Sequence, residues 1–216
     1  MLSMAARGEA HEGDWLIAER QTAGRGRSGR EWSSPTGNLF ATGLVALRPN
    51  DPPAPSLALL AGLALHLTLD LPRASLKWPN DLTVAGSKLA GILLERNGNH
   101  VVVGVGVNVA HAPDIPGRAT TNLFALGVDV TPNRIVNLLA ETFSAWRRTW
   151  RAEGVSSITG WWLDRAHPIG TALSAELPDG SQVNGSFGGL ADNGALILRL
   201  ADGSVRVIHA GDVFLI

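Results

Sequence analysis

The run Gly24-Arg25-Gly26-Arg27-Ser28-Gly29-Arg30 alternates glycine with arginine almost strictly. Glycine lets a backbone approach an anion closely and turns its N–H groups toward phosphate oxygens. Arginine adds a planar fork of charged donors matched to phosphate or carboxylate. The run is not a Walker loop, because GxxxxGK[ST] is absent. Read alone it is an anion-binding loop, with a solvated basic turn or a weak RNA-binding segment as the alternatives.

Of the 18 lysines and arginines only Lys77 and Lys88 are lysines, and both lie in Leu76 to Glu95 (LKWPNDLTVAGSKLAGILLE). A retained lysine suggests a need for a compact point charge rather than a planar fork, with compositional chance as the plain alternative. Within Lys77-Trp78-Pro79-Asn80-Asp81, the aspartate can pair with a cation of the site, help hold magnesium, or simply stand in a turn. Lys88 opens an apolar strand, so its ammonium is expected at the rim of a buried surface. Gly91 in that strand, and Gly104 and Gly106 in the valine-rich run Val103 to Val109, point to close approach by a ligand or another backbone. Asn108 can both donate and accept, as a purine edge requires, or it caps a bulged core strand.

Other candidates carry less. The histidines, among them His11, His66, His111, His167 and His209, lack HExxH spacing, and no serine sits in GxSxG. Trp146, Trp150, Trp161 and Trp162 read as core, and Arg147-Arg148 as a solvated helix face.

These residues need elements to hold them. Trp15 to Arg20 reads as a buried strand feeding the loop Gln21 to Thr36, and Asn38 to Leu47 as a second strand. A helix buried on all sides follows the prolines at 52, 53 and 55 and runs to about Asp70. Leu76 to Trp78 is a short strand stopped by Pro79. Leu82 to Val84 and Lys88 to Arg96 flank an Ala85-Gly86 hairpin, and His100 to Val109 follows Asn97-Gly98. Thr131-Pro132 starts a helix whose buried stripe is Ile135, Leu138, Leu139, Phe143, Trp146 and Trp150. Beyond His167, strands at Thr171 to Leu177, Gln182 to Phe187, Ala195 to Leu200 and Ser204 to His209 form a small antiparallel barrel.

The 216 residues are 45% hydrophobic and 17% charged, with a net charge of −1 and no cysteine. That is enough for one sizeable core and a small second domain. It excludes a disulfide scaffold, a thiolate metal site and a cysteine nucleophile. The near-neutral balance argues against bulk binding to nucleic acid or membrane surfaces. With no signal-like segment and no bilayer-length apolar run, the expected compartment is the cytoplasm.

Taken in order, QTAGRGRSGREW, LKWPND, SKLAGILLE and VGVGVNV resemble the catalytic core of the biotin protein ligases. The closing Gly211-Asp212-Val213 resembles that family's SH3-like C-terminal domain. The resemblance implies an α+β fold, a mixed or antiparallel sheet flanked by helices, like that of class II aminoacyl-tRNA synthetases. It implies a catalytic domain over 1–166 and an SH3-like barrel over 167–216. It also implies activation of biotin by ATP to biotinyl-5′-AMP, with Mg2+, and transfer to a lysine of a biotin carboxyl carrier protein. A monomer or homodimer without DNA or membrane partners is expected, since the DNA-binding winged helix is not seen.

By motif position, Lys88, Arg25 and Arg27 would be catalytic. Gln21, Gly24, Arg25, Gly26, Arg27, Trp32, Lys88, Gly91 and Leu93 would hold biotin. Arg25, Arg27, Lys77, Asn80, Asp81, Lys88 and Asn108 would hold ATP and the adenylate, with Asp81 the one protein group near magnesium. The family's Ser-Thr-Asn stretch ahead of the glycine-arginine loop has no match here, which leads to the expectation of weak biotin affinity and an exposed sheet edge. A lipoate-type ligase of the same fold and a non-catalytic RNA- or anion-binding module are the competing readings.

Overall fold

A computed structural model describes all 216 residues. A short helix α1 (Leu2–Ala6) precedes β1 (Trp15–Ala18) and β2 (Leu39–Ala46). Then come α2 (Leu57–Leu69), β3 (Ala74–Lys77), β4 (Asp81–Val84), β5 (Ser87–Asn97) and β6 (His100–Val107). Two helices follow, α3 (Pro132–Glu153) and α4 (Ser156–Leu163). A second sheet closes the chain with β7 (Ala172–Glu176), β8 (Gln182–Leu190), β9 (Leu196–Arg199), β10 (Val205–Ile208) and β11 (Asp212–Leu215).

The first sheet runs β1-β2-β6-β5-β4-β3 and the second β10-β9-β8-β7-β11. Every strand pair in both is antiparallel, so the mixed alternative falls away. Hairpin connections account for the runs β3 to β6 and β7 to β10, because parallel pairs need long crossovers. The β4–β5 turn is set by Ala85 and Gly86, both at positive φ (50° and 84°), as the tight hairpin turn requires.

Alternation divides the first sheet. Val101, Val103, Val105 and Val107 of β6 and Ala90 and Ile92 of β5 are buried in the main core with α2 and α3. Helix α2 has no polar face: eight of its residues from Leu57 to Leu65 are buried, since it lies between the sheet and α3. Thr131 caps α3, its hydroxyl oxygen accepting from the Arg134 N–H at 3.3 Å. The opposite sheet face carries α1, where Ala5 and Ala10 pack on Leu44 and Val102, and leaves the rest open for a cleft.

Both sheets share one core. Leu173, Phe187, Leu198 and Val213 belong to the same buried cluster as the α2 leucines. The Trp78 indole N–H donates to the Gly194 carbonyl at 3.1 Å across the junction.

Some expectations change. The strand at Trp15 is not buried: it is a sheet edge, with Leu16 45% and Ile17 39% exposed. Strand β11, only four residues long, adds a fifth strand to the C-terminal sheet. Trp161 is 49% exposed rather than core, stacked edge-on against Trp146. Arg147 is not solvated; its guanidinium meets Glu12 at 3.2 Å, while Arg148 is exposed.

Glu12 and Asp51 converge on Arg151, which also donates to the Ala46 carbonyl, so α3 is bound to the chain on either side of β1 and β2. Burial pushes the Glu12 carboxyl up, but the Arg151 hydrogen bond and the charges of Arg147, Arg151 and Arg48 outweigh it and hold the group below its ordinary 4.5. A depressed carboxyl contributes stability above its unfolded value and loses it as pH falls through the folded one. Urea midpoints should therefore drop as the solution is acidified below about 4.5. Glu12→Gln should be less stable at neutral pH and flatter across that acid range; parallel curves for the two proteins would contradict the assignment.

Candidate active site

The open sheet face forms the floor of a cleft of about 840 Å³, walled by the glycine-arginine loop, the segment 113–120 and β11. On the floor, β5 presents Gly91, Leu93 and Glu95, and β6 presents Val102, Gly104, Gly106 and Asn108. Strict alternation would put Lys88 on the opposite, core-facing side from Gly91. A register shift reverses this: Asp81 pairs with Gly91 and Leu82 with Ala90, but Thr83 pairs with Lys88, leaving Leu89 as the extra residue. Bulged out of register, Leu89 is fully buried and Lys88 turns to the cleft. Its Nζ donates to Asp81 Oδ1 at 2.6 Å, with both side chains at most 14% exposed.

Gly91 and Gly106 make room for Trp32. A Cβ on Gly106 would stand 2.7 Å from the indole ring, and one on Gly91 3.1 Å. The close neighbour foreseen at these glycines is thus a side chain of the loop, lying flat on backbone. Lys88 Nζ sits 5.4 Å from the same ring's centroid, and the Trp32 indole N–H is buried without a partner in the chain. Gly104 has a different neighbour, the Leu93 carbonyl of the adjacent strand.

The loop brings Gln21, Arg25, Gly26 and Arg27 to the cleft. Gly24 stands behind them, where a Cβ would collide with the Trp32 carbonyl and the Ser34 hydroxyl. Arg25 pairs with Glu95 at 2.9 Å at the exposed rim. Arg27 and Arg30 reach the C-terminal sheet, meeting Asp212 at 3.2 and 2.6 Å. Lys77, Asn80 and Asp81 line the far wall, and the Asn80 amide braces β5 by donating to the Ile92 carbonyl. Asn108 is buried, and its Nδ2 donates to the Thr121 carbonyl at 3.0 Å, leaving Oδ1 for other partners.

Sequence reasoning missed several groups here. Asn38 is buried at the start of β2; its Oδ1 accepts from the N–H groups of Val109, Ala110 and His111, and its Nδ2 donates to the His111 carbonyl. That side chain shapes the exit of β6 beside Asn108. Phe214 of β11 lies between two cations, Lys77 at 5.7 Å and Arg118 at 5.5 Å from the ring centroid. The only signal for Asp212 was its place after Gly211. Nothing in the local pattern marked Phe214 or Arg118.

Electrostatically the cleft is a set of cations, of which Lys88, Arg25, Arg27 and Arg30 are each held by a carboxylate. Burial pulls the Lys77 ammonium below its ordinary value, with Asp81 opposing. Arg27 is lowered by burial too, against the pull of Asp212. For Asp212 burial acts upward, but the hydrogen bond from Arg30 and the charges of Arg30, Arg27 and Arg118 bring the carboxyl below its ordinary value. No three histidine, aspartate or glutamate side chains gather to hold a metal ion. Asp81, the carboxylate beside Lys88, already accepts the hydrogen bond of that ammonium.

Comparison with known proteins agrees with this geometry. The profile of the Biotin/lipoate A/B protein ligase family matches residues 5–108, and that of the Biotin protein ligase C terminal domain matches 172–216. A biotin--[acetyl-CoA-carboxylase] ligase of Paracoccus denitrificans is 40% identical over 93% of this chain and 89% of its own length. One from Mycobacterium tuberculosis is 38% identical over 99% of this chain and 83% of its own. The biotin protein ligase of Aquifex aeolicus, solved with biotin and ATP, superposes with a TM-score of 0.84 at 25% identity, covering 96% of this chain and 91% of that one.

The two floor glycines make different demands. Gly106→Ala should force the indole off the sheet and destabilise the chain by about 1–3 kcal/mol, the usual cost of overpacking. Gly104→Ala, whose Cβ would stand 3.4 Å from the Leu93 carbonyl, should cost clearly less. Denaturant unfolding of both checks this, and equal losses would refute the seat assigned to Trp32.

Proposed function

The chain belongs to the biotin protein ligase family, and from that premise we propose how its cleft makes and transfers activated biotin. The biotin carboxylate attacks the α-phosphorus of ATP. A new oxygen–phosphorus bond forms, the bond to the β-phosphate oxygen breaks, and pyrophosphate leaves. A lysine amine of a carboxyl carrier protein of acetyl-CoA carboxylase then attacks the mixed anhydride, forming an amide and releasing AMP and a proton.

The difficulty in the first step is that two anions must meet. Lys88 and Arg27 address it from opposite sides of one cleft, and this convergence of cations from a bulged strand and a loop carries the reading. Their charge stabilises the transition state most, where negative charge concentrates on the phosphoryl oxygens. Arg25 supplies a third cation at the rim. Gln21, Gly26, Trp32, Gly91 and Leu93 would border biotin, with the Trp32 indole rather than bare backbone covering Gly91. Lys77, Asn80 and Asn108 would face the nucleotide. Magnesium on the phosphates supplies further neutralisation when bound. Residues 1–166 would carry the chemistry and 167–216 would complete the wall. No helix of the chain is long and apolar enough to cross a membrane, and the cytoplasm is the expected compartment.

Biotin and Mg-ATP together should raise the melting temperature far more than either alone, because a retained adenylate binds only the folded chain. Lys88→Gln should abolish that synergy and slow pyrophosphate release by about two orders of magnitude, the scale of one lost preorganised charge. Equal stabilisation by lipoate with Mg-ATP, or stabilisation by an oligonucleotide alone, would overturn the reading.

A further inference from the structure

The glycine-arginine loop is fastened from outside its own sheet. Internally it is held by short-range bonds, Gly26 N–H to the Arg30 carbonyl at 2.7 Å and Arg30 N–H to the Arg27 carbonyl at 3.2 Å. Its longer anchors are arginine side chains. One is the exposed pair of Arg25 with Glu95. The others end on β11: Arg27 Nη1 donates to the Gly211 carbonyl at 3.0 Å and to Asp212 Oδ1 at 3.2 Å, and Arg30 Nη1 meets Asp212 Oδ2 at 2.6 Å. Both carboxylate oxygens of Asp212 are thus engaged by the loop, at 17% side-chain exposure.

Asp212 is itself firmly placed. It pairs with Glu176 on β7, and Val213 beside it is 4% exposed in the core common to both sheets. Gly211 can offer its carbonyl only because it is glycine: a Cβ there would stand 2.6 Å from the Glu176 carbonyl oxygen. The anchor is thus fixed by sheet pairing and core packing, whereas the loop carries no strand of its own.

We propose that Asp212 is a positioning residue that holds Arg27 and Arg30 over the cleft from the C-terminal sheet, so that the loop stays closed while the adenylate waits for its acceptor. This rests on the ligase reading for its consequence, though the fastening is a property of the chain alone. One carboxylate shared by two guanidinium groups leaves a net positive charge, so the loop keeps its attraction for a phosphate. The pairs are partly exposed and hence weak enough to exchange.

The test uses the purified full chain and three variants. Asp212→Asn removes the anchor and Arg30→Gln removes its partner from the loop side, leaving the C-terminal sheet untouched. Asp202→Asn, on an exposed turn of that sheet, is the control. Brief trypsin treatment without nucleotide, read by mass spectrometry, reports cleavage after Arg25 and Arg27. Cleavage should be at least about fivefold faster in Asp212→Asn and Arg30→Gln than in the parent or the control. With biotin and Mg-ATP, both variants should also release several-fold more free adenylate per carrier molecule modified, with the rate of adenylate formation changed less. Should Asp212→Asn fail to fold, Arg30→Gln decides alone. Cleavage within twofold of the parent in every folded variant overturns the proposal. A parent that makes no adenylate would overturn the ligase reading instead, while faster cleavage in the variants would still support the fastening.

Discussion

The bulge in the β4–β5 pair is the constraint on which the site depends. Strands oblige side chains to alternate, and a ligand floor obliges them to be small. A lysine three residues before Gly91 would ordinarily point into the helices, where its charge has no partner. One extra residue on β5 solves both problems: Leu89 fills the core and Lys88 arrives at the cleft beside Asp81. The hydrophobic core and the cation on the cleft floor are therefore placed by the same irregularity.

Counter-ions organise the rest. Lys88 rests on Asp81, Arg25 on Glu95, and Arg27 and Arg30 on Asp212. The Lys88 and Arg27 pairs let a cation sit in a partly buried wall without the cost of an unpaired charge, while the Arg25 pair lies at the exposed rim. Three of the four cations come from one loop, while their carboxylates come from β5 and β11. The charge pattern thus doubles as a set of contacts that define where a glycine-rich loop can lie.

What could be read from sequence was what depends on local pattern. The valine alternation of β6, the Ala85-Gly86 hairpin, the Thr131-Pro132 cap and the apolar run of α2 all report their element directly. So did the residues of the cleft, because unusual types in an apolar strand, Lys88, Gly91 and Gly106, signal a local conflict that function resolves. Long-range facts were not legible. An exposed sheet edge was expected, but that β1 carries it depends on strand order, which alternation does not encode. Arg147 looks solvated until Glu12, more than a hundred residues away, is placed beside it. Asp212 and Phe214 belong to a strand of only four residues at the end of the chain, and they reach the cleft only because the two sheets share a core. Asn38 gave no warning because its four partners lie on a segment seventy residues later.

A floor made of glycine has one more consequence. At Gly91 and Gly106 there is no atom left to remove, so every replacement narrows the slot and none widens it. Inherited variation at these two positions is therefore tied to residue 32: only a lineage that had first traded the indole for a smaller side chain could carry a larger residue on the strands beneath.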